Sequence, residues 1–186
     1  MSMNARKKLV LILFAALVVL GFVIFKIFGG DMRARSAIDR FVLRVEQDRL
    51  DDVRLLIYFM SPFVNTSRPI DIEALINWHY STRVVVESDE LRQHAHILRQ
   101  LNSSTLIPDT RGSEMDLRIY FVFETTNGRR LFDAAISMWR ADGTMSINGR
   151  DFKRSDMFID IIMPFLPDAA ANSLRIFLDN DGVWPY

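Results

Sequence analysis

Basic residues gather beside two predicted tight turns, and anion binding is the chemistry that they could do. Asn127-Gly128 and Asn148-Gly149 are dipeptides typical of two-residue hairpin loops. If the strands run up, down and up again, both turns lie at one end of a sheet. The basic residues that this would bring together are Arg129, Arg130, Arg150, Lys153 and Arg154. Such a cluster suits an anionic ligand, a lipid headgroup or a partner's acidic patch, and solvated hairpin ends are the alternative.

The aromatic residues near position 186 form a second candidate contact. Trp184 and Tyr186 follow a polar turn, with Val183 and Pro185 beside them. Such side chains either pack against the domain or dock on a partner or a membrane interface. We expect one of these two roles.

No residue pattern predicts catalysis or a metal site. His94 and His96 are two positions apart on a predicted helix, so they point about 200° apart and cannot share a metal ion. The sequence has no cysteine, which excludes thiol chemistry, disulfides and cysteine-ligated zinc. The motifs G-x-S-x-G, G-x-G-x-x-G and the P-loop are also absent. We therefore expect no metal and no cofactor, and binding is favoured over enzymatic activity. Dispersed acidic residues that converge in a pocket keep a hydrolase as an alternative.

A long apolar stretch predicts a transmembrane helix over residues 9–28, after a short basic tail over residues 1–8. From Leu9 to Phe25 the sequence has 17 consecutive residues without a charge. Twenty helical residues span roughly 30 Å, which is the thickness of the hydrocarbon core of a bilayer. Gly29-Gly30-Asp31 is a poor signal-peptidase site, so we expect the stretch to remain as a signal-anchor.

The flanking charges predict the orientation of this single-pass protein. Arg6, Lys7 and Lys8 precede the stretch and favour a cytoplasmic N-terminus. The C-terminal domain would then lie outside the inner (cytoplasmic) membrane of a bacterial envelope. Because Lys26 and Arg33 lie on the other side, a cytosol-facing regulatory domain is the alternative.

Residues 31–186 have the size and charge of a single globular domain. They contain 19 basic and 23 acidic residues, a net charge of −4. Nucleic-acid-binding domains are usually strongly basic, so we expect no nucleic acid partner. The length is enough for one domain with its own hydrophobic core.

Turn residues and apolar periodicity predict an antiparallel β-meander. Asn127-Gly128, Asp142-Gly143 and Asn148-Gly149 separate four short strands. A type I′ turn at Asn127-Gly128 would set apolar residues opposite one another on one face. The predicted pairs are Phe123 with Phe132, Phe121 with Ala134, Ile119 with Ile136 and Leu117 with Met138.

Further strands and several helices are predicted around this meander. Residues 53–60 and 83–87 are rich in strand-forming residues. The spacing of Ile38, Phe41, Val42 and Val45 predicts an amphipathic helix. Further helices are predicted to start near Pro69, Ser88, Ser155 and Asp168. The fold class is therefore α+β, with an antiparallel sheet packed against several helices.

The order of these elements resembles that of the extracytoplasmic NTF2-like domains of secretion-assembly proteins. A membrane helix is followed by an amphipathic helix and then by a curved meander. The resemblance concerns the fold alone. The predicted anchor and the absence of catalytic motifs favour a binding or assembly role, such as that of an accessory subunit in an envelope complex. The expected partners are the bilayer, through residues 9–28, and a protein of the membrane or envelope.

Overall fold

A computed structural model describes Phe14, Leu17, Val18 and residues 29–110, 116–138 and 143–180. The chain divides into two compact units, Met1–Arg33 and Ala34–Tyr186. The described residues of the first unit are helical. The predicted transmembrane helix over residues 9–28 lies almost wholly outside the described residues. Among the helices formed by described residues, none is both long and apolar enough to cross a membrane.

The described residues of the second unit form an α+β fold built on a six-stranded antiparallel sheet, as predicted. The strands are β1 (Val53–Phe59), β2 (Thr82–Val86), β3 (Leu117–Thr125), β4 (Arg130–Ser137), β5 (Thr144–Ile147) and β6 (Arg150–Lys153). Their order in the sheet is β2-β1-β3-β4-β5-β6. The four strands β3 to β6 follow one another as the predicted meander, and β1 lies between β2 and β3.

The pairing of β3 with β4 follows most of the predicted register. Three of the four predicted apolar pairs are confirmed: Phe123 with Phe132, Phe121 with Ala134 and Ile119 with Ile136. The fourth is wrong, because Leu117 lies opposite Ser137 and not opposite Met138. A register shift between Leu117 and Ile119 causes the difference.

The β3–β4 loop is longer than the predicted type I′ turn. Of Asn127 and Gly128 only the glycine has a positive φ, +82°. The Gly128 N–H donates to the Thr125 carbonyl at 2.7 Å. This geometry is a type I turn followed by a left-handed glycine, a common three-residue hairpin loop. Next to this loop Glu124 pairs with Arg130. A register shift between Phe123 and Glu124 then restores the predicted pairing, which begins with Phe123 opposite Phe132.

The β5–β6 loop has the geometry expected of an Asn-Gly turn. Asn148 and Gly149 have φ values of +50° and +74°. Two consecutive positive φ values define the type I′ turn, which aligns Ile147 with Arg150. The predicted turn at Asp142-Gly143 lies partly outside the described residues.

All of the described α-helices of the second unit except the one at Ile72–Asn77 contribute to the larger hydrophobic core on one face of the sheet. Residues 34–46 of the second unit are helical and are called α1 here, and Ile38, Phe41 and Val45 of this helix are buried as predicted. The Phe41 ring lies 4.3 Å from that of Phe123 and 5.1 Å from that of Phe132, centroid to centroid. Burying such aromatic side chains stabilises the fold by roughly 1.5–3 kcal/mol each. The other helices are α2 (Ile72–Asn77), α3 (Ser88–Gln93), α4 (Ala95–Leu98), α5 (Met157–Asp160) and α6 (Asp168–Asp179).

Several helix boundaries differ from the prediction. The helix predicted after Ser88 is divided at His94 into α3 and α4, although its predicted apolar face stays buried. Asp168 is the first residue of α6 and not its cap. Helix α2 begins after Pro69 and does not include it. Its N-cap is Asp71, whose side chain accepts from the Ala74 N–H at 2.7 Å. The other boundaries shift by similar amounts, since local caps decide them.

The second face of the sheet carries a smaller apolar cluster and a buried ion pair. Leu75 of α2 packs there with Tyr120 and Val122 of β3. The Arg118 guanidinium lies 2.7 Å from Asp116 and also donates to the Val64 carbonyl at 3.0 Å. These bonds fix the segment between β1 and α2 to the sheet.

Candidate functional site

An arginine-lined cavity of about 400 Å³ opens between α1 and the β3–β4 hairpin. We call it the arginine cleft. Four of its lining residues carry a guanidinium, and the other three are apolar. The lining residues are Ala37, Arg40, Phe41, Arg44, Arg129, Arg130 and Leu131.

The two walls of the arginine cleft are positioned by local structure. Arg40 and Arg44 are four residues apart on α1, so they lie one above the other on one face of the helix. The β3–β4 loop fixes the backbone position of Arg129. The Arg129 backbone N–H donates to Thr125 Oγ1 at 3.1 Å. The Thr125 N–H in turn donates to the Arg129 carbonyl at 2.9 Å. A rigid loop therefore faces a helix that is packed on the core.

Two of the four guanidiniums are held by carboxylates. Arg44 lies 2.8 Å from Asp52 and also donates to the Arg49 carbonyl at 2.8 Å. Arg130 lies 3.1 Å from Asp133. These contacts fix the two arginines in place and neutralise part of their charge.

The other two guanidiniums, those of Arg40 and Arg129, are available to a ligand. Both residues are exposed, and neither guanidinium makes a hydrogen bond or ion pair with the part of the chain that the structure describes. A guanidinium presents five N–H donors in a fixed plane, which fits carboxylate and phosphate oxygens. The arrangement can therefore bind an anion.

Asp133 lies behind the arginine cleft in a buried polar site. It is only 6% exposed, and its Oδ2 accepts the Tyr120 phenol at 3.0 Å as well as Arg130. Its Oδ1 is buried without a hydrogen-bond partner among the described residues. Burial, and next the nearby Asp133 charge, raise the pKa of the Tyr120 phenol well above its usual range. The buried Asp133 carboxylate therefore holds the Arg130 guanidinium from the interior of the domain.

The structure brings together some of the predicted basic residues and separates others. Arg129 and Arg130 line the arginine cleft. Arg150 follows the β5–β6 turn, whose Asn148 side chain accepts the Asp133 N–H at 3.0 Å. Lys153 and Arg154 lie at the far end of β6, because Lys153 pairs with Thr144 and the Arg154 N–H bonds to the Gly143 carbonyl. Trp184 and Tyr186 lie outside the described residues.

Arg40 and Arg44 were not among the predicted site residues. Their spacing of four residues on the polar face of α1 was the only local signal. The contact between α1 and the hairpin depends on Phe41, which packs against Phe123 and Phe132. Such long-range packing does not appear in a motif.

A second, shallower cavity of about 250 Å³ lies beside α2. It is lined by Ala74, Asn77, Trp78 and His79. Neither this cavity nor the arginine cleft has an acidic residue among the described residues that line it. Within the described ranges, no group of three or more histidine, aspartate or glutamate side chains could hold a metal ion.

Comparisons with protein families, with curated proteins and with solved structures find no match to this chain. The resemblance to NTF2-like domains therefore stays a prediction.

Proposed function

We propose that this protein is a single-pass membrane protein whose folded domain binds an anionic group in the arginine cleft. The observation that carries the proposal is the convergence of four arginines on one concave site in a segment of net negative charge. Like-charged side chains repel one another, so such a cluster has an electrostatic cost in the absence of an anion. An anion that binds there removes the repulsion.

The charges around the arginine cleft favour binding over hydrolysis. General acid–base catalysis requires a titratable group that can reach the substrate. Asp52 and Asp133, the acids that pair with arginines of the cleft, are occupied by those contacts. Burial raises the pKa of Asp151 and of Asp160, but neither residue lines the cleft. The cleft therefore has the features of a recognition site.

The predicted membrane anchor supports a role at a membrane. Only residues 29–39 separate the predicted transmembrane stretch from Arg40. Even a fully extended chain of this length spans only about 40 Å, so by chain length alone the cleft stays near the bilayer. We propose an accessory subunit of a bacterial envelope complex with its domain outside the cytoplasm.

A panel of anions tests whether the arginine cleft binds. Full-length protein in phosphatidylcholine nanodiscs is heated with phosphate, sulfate, citrate or a hexaglutamate peptide. The double variant Arg40→Glu/Arg129→Glu is compared with Arg68→Glu/Arg99→Glu, which makes the same charge change at exposed arginines outside the cleft. We expect at least one anion to raise the melting temperature of the wild type and the control but not that of the cleft variant. Equal shifts in all three proteins would contradict the proposal.

The proposed location has its own test. An integral protein stays in the membrane pellet after carbonate washing, whereas a peripheral or cleaved one is released. An alkaline phosphatase fusion after residue 186 is active only outside the cytoplasm. Retention and activity support the proposal, while an inactive but intact fusion would favour the cytosolic alternative.

A further inference from the structure

The ion pairs of the arginine cleft leave two of its four guanidiniums without a carboxylate partner among the described residues. The four guanidiniums carry four positive charges, and Asp52 and Asp133 each neutralise one of them. The two charges left over are those of Arg40 and Arg129, on opposite walls of the cleft. We infer that the ligand is a dianion, and specifically a phosphate monoester, an inference that rests on the proposed anion-binding function.

The shape of a phosphate monoester fits two separate arginine walls. A monoester has three terminal oxygens and a charge of about −1.5 to −2 at neutral pH. Arg40 on α1 and Arg129 on the hairpin both line the cleft, so the three oxygens offer acceptors to both walls. A phosphodiester has two terminal oxygens and a single charge, so one of the two free guanidiniums would stay without a counter-charge. The cleft is therefore expected to prefer monoesters.

The apolar lining leaves room for the group that carries the phosphate. Phe41 and Leu131 contribute apolar surface beside the four guanidiniums. The cavity of about 400 Å³ lies within the ordinary size range of small-molecule sites and is larger than a phosphate group. An esterified glycerol or similar carbon chain can therefore lie against this surface.

Two sources can supply this chemistry near a membrane. One is a lipid whose headgroup is a phosphate monoester, such as phosphatidic acid, and the other is a soluble phosphorylated metabolite. Both present the same dianion to Arg40 and Arg129. The cleft recognises the phosphate monoester in either case, and the experiment separates the two sources.

The test titrates full-length protein in phosphatidylcholine nanodiscs with glycerol 3-phosphate and, separately, with dimethyl phosphate. We expect the monoester to bind at least about tenfold more tightly at pH 7.5, because it alone matches both free charges. Its affinity should fall below about pH 6, where the second phosphate proton is taken up. Flotation with vesicles containing phosphatidic acid or phosphatidylglycerol shows whether the lipid form binds.

Two variants test the charge count itself. Asp52→Asn leaves Arg44 without its carboxylate and raises the net charge of the cleft, so glycerol 3-phosphate should bind more tightly. Arg40→Gln/Arg129→Gln removes both free charges and should abolish binding. The matched control Arg68→Gln/Arg99→Gln should bind like the wild type. Loss of structure cannot explain an increase in affinity, which makes Asp52→Asn the more informative variant.

The outcomes separate the two proposals. Equal affinity for monoester and diester, with both lost in Arg40→Gln/Arg129→Gln, would overturn the monoester inference and leave anion binding intact. An absence of binding by every anion would overturn both. Tight binding of glycerol 3-phosphate without vesicle binding assigns the soluble source, and selective flotation with phosphatidic acid assigns the lipid.

Discussion

Nη1 of Arg130 lies 3.1 Å from Oδ2 of Asp133, and this contact joins the arginine cleft to the interior of the domain. The Arg130 side chain is 59% exposed, whereas the Asp133 side chain is only 8% exposed. The Tyr120 phenol donates to the same carboxylate oxygen at 3.0 Å. A buried carboxylate thus holds a surface arginine at the edge of the arginine cleft.

The Tyr120 phenol should make stability decrease at high pH. Burial, followed by the charge of Asp133, raises its pKa above the ordinary value of 10.0. A raised folded-state pKa means that the folded protein holds this proton more tightly than the unfolded chain. The free energy of unfolding should then fall as the pH rises above about 10, by up to about 1.4 kcal/mol per pH unit.

Tyr120→Phe isolates this effect. The variant lacks the titrating proton, so its free energy of unfolding should fall less between about pH 9 and pH 11 than that of the wild type. Urea unfolding at several pH values measures the difference. Tyr80→Phe is the matched control, because Tyr80 is 64% exposed. Parallel pH profiles for wild type and Tyr120→Phe would show that the phenol does not have a raised pKa.

Arg118 and Asp116 form a buried ion pair, so their contributions to the free energy of unfolding should be coupled. Both side chains are at most 7% exposed, and the guanidinium also donates to the Val64 carbonyl. Arg118→Met leaves a buried carboxylate without its partner and should cost about 3–5 kcal/mol. The double variant Arg118→Met/Asp116→Asn should cost less than the sum of the single variants. Strict additivity in a double-mutant cycle of urea unfolding would contradict this coupling.

The aromatic contact between α1 and the hairpin should dominate the stability of the core. Phe123 is fully buried and contacts the rings of Phe41, Phe121 and Phe132. Phe123→Ala should cost about 3–5 kcal/mol of unfolding free energy, measured by urea denaturation. The control Ile107→Ala, at a side chain that is 55% exposed, should cost little. A loss below about 1 kcal/mol for Phe123→Ala would mean that this core is not packed as described.

Because of Asp151, the free energy of unfolding should decrease as the pH rises from acidic values. Burial raises its pKa above the ordinary value of 3.8, although the Ser146 hydroxyl and the Arg150 charge oppose that shift. The folded state therefore favours the protonated carboxyl, and its contribution is lost as the pH rises through the folded-state pKa. Asp151→Asn should gain stability relative to the wild type between about pH 3 and pH 6. Asp179→Asn, at an exposed carboxylate, is the control, and a constant difference between Asp151→Asn and wild type would refute the raised pKa.

Local signals predicted much of the meander and little of its surroundings. Glycines 128 and 149 supply the positive φ that these turns need, and alternation then sets Phe121 and Phe123 on the core face. The loop at Asn127 has a different type from the one predicted, but a compensating register shift keeps Phe123 opposite Phe132. Turns and strand alternation depend on residues that are close together in the sequence, so they can be predicted from it.

Long-range packing explains what the sequence did not reveal. The position of β1 depends on pairs such as Leu55 with Phe123, which are far apart in the chain. The arginine cleft likewise combines Arg40 of α1 with Arg129 of a distant loop. No motif spans such separations, so only half of the cleft's arginines were among the predicted site residues. The expected cluster with Lys153 and Arg154 did not allow for the length of β6, which carries both residues away from the turn.

The most direct test of anion binding observes the arginines themselves. Arginine Nε–Hε NMR signals of the full-length protein in phosphatidylcholine nanodiscs are recorded while inorganic phosphate is added. We expect saturable shifts at Arg40 and Arg129, with Arg68 and Arg99 unaffected. Shifts that grow linearly without saturation, or that are equal at all four residues, would contradict the assignment of the arginine cleft as a binding site.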